Sequence, residues 1–170
     1  MKSFFTSILL LISISVFSQK DNPHFTQKPT LTPNGQQVIF SYQGDLWKVS
    51  SNGGDAYRLT AMDGVETNPS VSPDGKWLAF SSNQYGNNDV YIMPLKGGEI
   101  KQLTFHQASD MVSSWNWDSR TINFTSDRYN NMSNYTVSIS GETPKRTFDH
   151  YFNTVHDLVQ HPKTKDYYFN

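Results

Sequence analysis

Short apolar runs separated by turn residues recur along this chain, and their spacing predicts strands. The clearest run is Ser72-Pro73-Asp74-Gly75-Lys76-Trp77-Leu78-Ala79-Phe80-Ser81. Pro73 presets φ at the first central turn position, Asp74 suits the second, and Gly75 supplies the left-handed residue that follows. Beyond the turn, side chains alternate, so Leu78 and Phe80 face one way while Trp77 and Ala79 face the other. A strand apolar on both faces has to be covered on both. Burying Leu78 or Phe80 is worth roughly 1.5–3 kcal/mol each.

The same stretch recurs. Pro29-Thr30-Leu31-Thr32-Pro33-Asn34-Gly35 matches Pro69 to Gly75 at an offset of 40, which also pairs Phe40 with Phe80. An offset of 44 carries Phe80 to Phe124, Asp74 to Asp118 and Lys76 to Arg120. A further 45 carries Phe124 to Phe169 and Arg120 to Lys165, with Pro162 in the turn. Downstream, Asp45-Leu46-Trp47-Lys48-Val49 matches Asp89-Val90-Tyr91-Ile92-Met93 and, more loosely, Asn134-Tyr135-Thr136-Val137-Ser138. Each unit closes on a turn and a threonine: Gly53-Gly54 to Thr60, Gly97-Gly98 to Thr104, Gly141-Glu142 to Thr147.

One unit holds four expected strands, at 69–72, 77–82, 89–95 and 99–104, the last two joined by a Gly97-Gly98 hairpin. Four antiparallel strands at a period of 40–45 residues describe a β-propeller blade. The expected fold is therefore all-β: an incomplete propeller over 29–170, with blades at 29–60, 69–104 and 112–147 and the opening of a fourth at 158–170. Propellers close with about four to eight blades, so the expectation is an N-terminal piece of a longer protein.

The first residues do not follow this pattern. Lys2 precedes an apolar run from Phe4 to Phe17, shorter than the ~20 residues of a membrane span. Val16-Phe17-Ser18 suits signal peptidase, which predicts a signal peptide at 1–18, a mature start at Gln19 and a lead-in at 19–28. An uncleaved anchor is the alternative. There is no cysteine, which excludes disulfides and a lipid-modified cysteine. A net charge of -1 gives no reason to expect nucleic acid or an anionic membrane as partner. The expected location is exported, periplasmic or secreted, with no membrane contact after cleavage.

Ser72-Pro73-Asp74-Gly75-Lys76, Phe80-Ser81-Ser82, Asp89-Val90-Tyr91, Gly97-Gly98 and Leu103-Thr104 together resemble the WD-like repeat of TolB and of tricorn-type proteases. Ser126-Asp127-Arg128 and Pro144-Lys145-Arg146-Thr147 continue the likeness in the third unit. Gly44-Asp45-Leu46-Trp47, in a first blade soon after a signal peptide, looks most like the N-terminal propeller of tricorn protease homologues. That resemblance implies an exported serine peptidase whose propellers feed or filter oligopeptides. Its PDZ-like and peptidase regions would lie outside these residues. Trp117 and Ser119 replace the turn proline and glycine in the third unit, and Lys163-Thr164 replaces Asp-Gly in the fourth, departures expected to weaken those turns.

The chain offers little chemistry of its own. It has no Gly-x-Ser-x-Gly nucleophile turn and no Gly-rich phosphate loop. His24, His106, His150, His156 and His161 form no zinc spacing. His106 and His150 share a connector position that suits a structural hydrogen bond, with a pore-facing role as the alternative. His156-Asp157 is the nearest base-orienter pair, but neighbours on a strand point oppositely. Asp45 and Asp89 are expected to bond turn backbone, against a reading as channel acids for cationic peptides. Asp127-Arg128 reads as an intra-blade ion pair worth ~0–1 kcal/mol, with a ligand clamp as the alternative. Asn123, Asn131 and Asn134 fit Asn-x-Ser/Thr, a pattern common by chance. The expectation is no catalytic residue, no metal ligand and no cofactor in this chain, and peptides or proteins as partners, together with the rest of a parent chain or a homo-oligomer. The competing functions are a TolB-like protein-binding propeller and the accessory propeller of a prolyl-oligopeptidase-type hydrolase.

Overall fold

A computed structural model describes residues 27–129, 132–148 and 158–169. Every element among them is a strand, arranged in order as successive antiparallel sheets. The first blade contains β1 (Gln27–Leu31), β2 (Gln37–Tyr42), β3 (Asp45–Ser50) and β4 (Tyr57–Arg58). The second contains β5 (Glu66–Val71), β6 (Trp77–Ser82), β7 (Asp89–Pro94) and β8 (Lys101–Gln102). The third contains β9 (Asp110–Trp115), β10 (Thr121–Ser126), β11 (Ser133–Ser138) and β12 (Lys145–Arg146). A fourth opens with β13 (Leu158–Gln160) and β14 (Tyr167–Phe169). The first strands lie against one another, β1 with β5, β5 with β9 and β9 with β13, so the blades converge on that side. The architecture is an open β-propeller.

Alternation along β6 divides the core in two. Leu78 and Phe80 pack with Ile39, Leu46, Tyr91 and Met93 between the first and second blades. Ala79 packs with Val90, Ile92, Val112, Trp115 and Phe124 between the second and third, and Trp77 lies against that cluster. Both faces of one strand are thus buried by different neighbours. Aromatic pairs repeat across the middle hairpin: Phe80 stacks on Tyr91 and Phe124 on Tyr135, each with ring centroids 5.7 Å apart. Trp115 Nε1 adds an inter-blade hydrogen bond to Ser70 O at 2.8 Å.

Three sequence expectations change. First strands begin earlier than expected, β5 at Glu66 rather than 69 and β9 at Asp110 rather than 112. The extra length comes from a bulge in which Lys28 and Asn68, each before a proline, take φ of 50° and 51°. The fourth strands keep only two ladder residues, β8 being Lys101–Gln102. In the third blade the alignment shifts by one. Ser126 pairs with Ser133 as Ser82 pairs with Asp89, so Ser133, not Asn134, stands at the Asp89 position. Thr147 N bonds Asn134 O at 2.9 Å as Leu103 N bonds Val90 O at 2.8 Å, so Thr147 takes the place of Leu103 and Phe148 that of Thr104.

Nor do the substituted residues open the third turn. Ser119 adopts φ 56° where Gly75 has 69°, and Ser119 N still bonds Asn116 O at 3.1 Å. Asp118 compensates by accepting from Arg120 N, Thr121 N and Thr121 Oγ1. The fourth turn closes with Lys165 N bonding His161 O at 3.1 Å and Lys165 at φ 65°.

Candidate functional site

Antiparallel pairing puts the connectors between blades at the same end as the loops between second and third strands. Those segments are laced together. Val65 N donates to Asn83 Oδ1 at 2.7 Å, Asn87 Nδ2 donates to His106 O and Ala108 O at 2.9 Å, and Ser109 N donates to Asp127 Oδ1 at 2.8 Å. Gly64 fits here because a Cβ would lie 2.8 Å from Gln84 N. The surface of this end exposes Val65, Tyr85, Phe105 and Tyr129, with Phe105 76% exposed. Arg146 lies over the Tyr129 ring at 4.1 Å. A cleft of about 300 Å³ opens beside it, lined by Thr104, Phe105, His106, Arg128 and Gly141 to Pro144.

Beneath that surface lie three buried acids. Glu66, the first residue of β5, is fully buried and accepts from Thr60 Oγ1 at 2.9 Å and Ser82 Oγ at 3.3 Å. Burial pushes its carboxyl up, against those two hydroxyl donors. Asp110, the first residue of β9, is fully buried and meets Arg128 Nη2 at 2.5 Å. Asp89 accepts from Thr104 Oγ1 at 2.9 Å and Gln102 Nε2 at 3.1 Å, and burial pushes it up too. Tyr91, stacked nearby, has its phenol pushed up to about 12, again chiefly by burial.

The structure accounts for the sequence candidates one by one. Asp89 bonds side chains of the fourth-strand segment rather than turn backbone, because its position faces Gln102 and Thr104 across the ladder. Asp45 likewise pairs with Arg58 at 2.9 Å. Arg128 pairs with Asp110, not Asp127; the guanidinium folds back over Phe124 and Tyr135 and leaves Asp127 to hold Ser109 N. The pair is buried, not a solvated surface contact. His106 Nδ1 accepts from Ala108 N at 3.0 Å. His161 Nδ1 receives Thr164 N at 3.2 Å. Asn123 is fully buried and donates to Ser114 Oγ and Asn116 Oδ1, so no glycan reaches it. Asn134 is 2% exposed. His24, Asn131, His150, His156 and Asp157 lie outside the described residues. Among the described residues, no group of three His, Cys, Asp or Glu could hold a metal ion.

Glu66 and Asp110 escaped sequence reasoning, although they stand 44 residues apart like the other repeat positions. Tyr85 and Tyr129 carry the same offset. Scanning that period for polar as well as apolar matches would have found both pairs.

The family model described as the Tricorn protease N-terminal beta propeller domain matches residues 23–169. Tricorn protease homolog 1 of Streptomyces coelicolor is 35% identical over 64 residues, covering 38% of this chain and 6% of its own length. A Protein TolB homolog of Chlorobium luteolum is 34% identical over 70 residues, covering 39% of this chain and 16% of its own. The chain therefore spans a small part of the curated relatives it matches. Crystalline TolB from Acinetobacter baumannii superimposes with a TM-score of 0.62 at 22% identity, over 85% of this chain and 43% of that one. At that identity the likeness concerns the fold alone.

Proposed function

Since the chain belongs to the tricorn protease N-terminal β-propeller family, we propose that it is the propeller segment of an exported tricorn-like serine peptidase. Its part is to admit oligopeptides and to scaffold the assembly. Hydrolysis takes place elsewhere in the parent protein. The observation that carries this reading is the family match, which runs through all the blades. The disposition of side chains supports it. Glu66, Asp89, Asp110 and His106 are engaged in packing and turn bonds, which leaves none of them poised as a base beside a nucleophile. Tyr85, Phe105 and Tyr129 offer apolar surface at the loop end for a passing peptide. Residues 1–18 serve as the signal peptide, ahead of a propeller whose first strand starts at Gln27, and the protein works in the periplasm or outside the cell.

A second reading has its own support in the 34% identity to a TolB homolog. In it the propeller binds an envelope protein and no peptidase is attached. The coding sequence beyond Asn170 separates the two. A PDZ-like region and a serine peptidase region are expected. A stop shortly after the ring closes would overturn the proposal in favour of the TolB-like reading, and a Gly-x-Ser-x-Gly α/β domain would point instead to a prolyl-oligopeptidase-type hydrolase.

A further inference from the structure

Two asparagines of this chain stand directly before glycine, Asn34 and Asn52. An asparagine so placed is chemically labile. The backbone nitrogen of the glycine attacks the side-chain carbonyl carbon, and no Cβ on the glycine obstructs the approach. The bond from Cγ to Nδ2 breaks, and ammonia departs with the proton of the attacking nitrogen. Water then opens the succinimide at one carbonyl or the other, leaving aspartate or isoaspartate.

The two turns share an outline. Gly35 N donates to Thr32 O at 2.8 Å and Gly53 N to Ser50 O at 2.9 Å. The glycines have φ of 71° and 88°, and both asparagines are exposed. The side chains differ. Asn34 Oδ1 accepts from Thr32 Oγ1 at 2.7 Å and from Gln36 N at 3.1 Å, while Nδ2 donates to Gln36 Oε1 at 3.2 Å. Attack requires the amide to turn its carbonyl carbon towards the glycine nitrogen, which these bonds resist. The clamp belongs to the repeat: one blade on, Asp74 Oδ1 accepts from Ser72 Oγ at 2.7 Å and Lys76 N at 3.1 Å. Pro33 stiffens the backbone before Asn34 as well.

Asn52 has none of this. Its side chain bonds no described residue, and only its backbone N–H is held, by Ser50 Oγ at 3.2 Å. Its turn closes the hairpin from β3 to β4, and β4 has just two ladder residues, both exposed. A short exposed hairpin opens locally at small cost, which frees the Gly53 nitrogen. At the same hairpin position the second and third blades carry Lys96 and Ser140, which have no amide to lose.

We propose that Asn52 is a site of spontaneous deamidation and that the fold protects Asn34 from the same reaction. Each event adds a negative charge to a chain of net charge -1. Isoaspartate also lengthens the main chain by one carbon inside the turn that Gly53 N and Ser50 O close.

The test incubates the full chain at mildly alkaline pH and follows amide-to-acid conversion at each asparagine by mass-spectrometric peptide mapping. Asn52 is expected to convert at least about tenfold faster than Asn34, since each hydrogen bond holding Asn34 shifts a population about fivefold. In guanidinium chloride the two rates should converge. Thr32→Val removes one bond to Asn34 and should speed that residue about fivefold while leaving Asn52 unchanged. Equal rates in the folded chain would overturn the proposal. So would an Asn52 that stays intact when folded yet converts in denaturant, or a gap that persists undiminished in denaturant. Should Thr32→Val fail to fold, the folded and denatured rates of the unaltered chain still decide it.

Discussion

The hydroxyl of Ser119 accepts a hydrogen bond from the backbone N–H of Asp74 at 3.0 Å, joining the first turn of the third blade to that of the second. A serine at the glycine position of a turn looks like a defect. Its left-handed backbone is strained relative to glycine. The strain places the hydroxyl on the neighbouring turn, and the residue is 8% exposed. Ser119→Ala keeps the strain and loses the bond, so it should cost about 1 kcal/mol. Ser119→Gly loses the bond but relieves the strain, and should cost less. Urea denaturation midpoints of the two variants rank them.

Arg128 offers a larger effect. Arg128→Gln leaves Asp110 buried without its cation, a situation that costs about 3–5 kcal/mol. Adding Asp110→Asn removes the stranded charge, so the double variant should recover most of the loss. A double-mutant cycle in denaturant measures the coupling, which should exceed that of the Asp45–Arg58 pair, whose arginine is 49% exposed.

Glu66 sets a pH dependence at the other junction. Burial raises its folded pKa, so the fold prefers the protonated form. The contribution is complete below the ordinary value of 4.5 and lost as pH rises through the folded value. Glu66→Gln should flatten the decline in stability from acid towards neutral pH, as read from thermal midpoints over that range.

Phe80 and Tyr85 make a direct contrast. Phe80 is fully buried between blades, and Phe80→Ala should cost about 3–5 kcal/mol. Tyr85 is 69% exposed, and Tyr85→Ala should stay within about 0.5 kcal/mol of the parent. Chemical denaturation of the two variants checks both.

These residues also show how far the fold could be read in advance. Leu78 and Phe80 on one side, with Trp77 and Ala79 on the other, announced a strand covered on both faces because period-2 alternation survives whatever the strand packs against. Gly75 and Gly97-Gly98 announced the turns because positive φ selects glycine. Ser119 misled, because its compensation comes from Asp74, 45 residues away and invisible to local rules. The partners of Asp89 and Arg128 were hidden for a related reason. Each acid's donor is chosen by which fourth-strand or loop side chain the ladder brings opposite, and a one-residue shift in the third blade moved Thr147 off the position that Thr104 occupies. Glu66 and Asp110 went unnoticed because nothing local marks an acid as buried; burial by a neighbouring blade is a tertiary fact.

The central claim is that these blades admit peptides to a peptidase carried elsewhere in the parent protein. Its most direct test measures hydrolysis of a peptide series of increasing length by the parent, with and without Tyr85→Ala, Phe105→Ala and Tyr129→Ala together. The account predicts unchanged turnover of the shortest peptides and an altered KM that grows with peptide length. An unchanged length profile, or a parent with no peptidase activity, would contradict it.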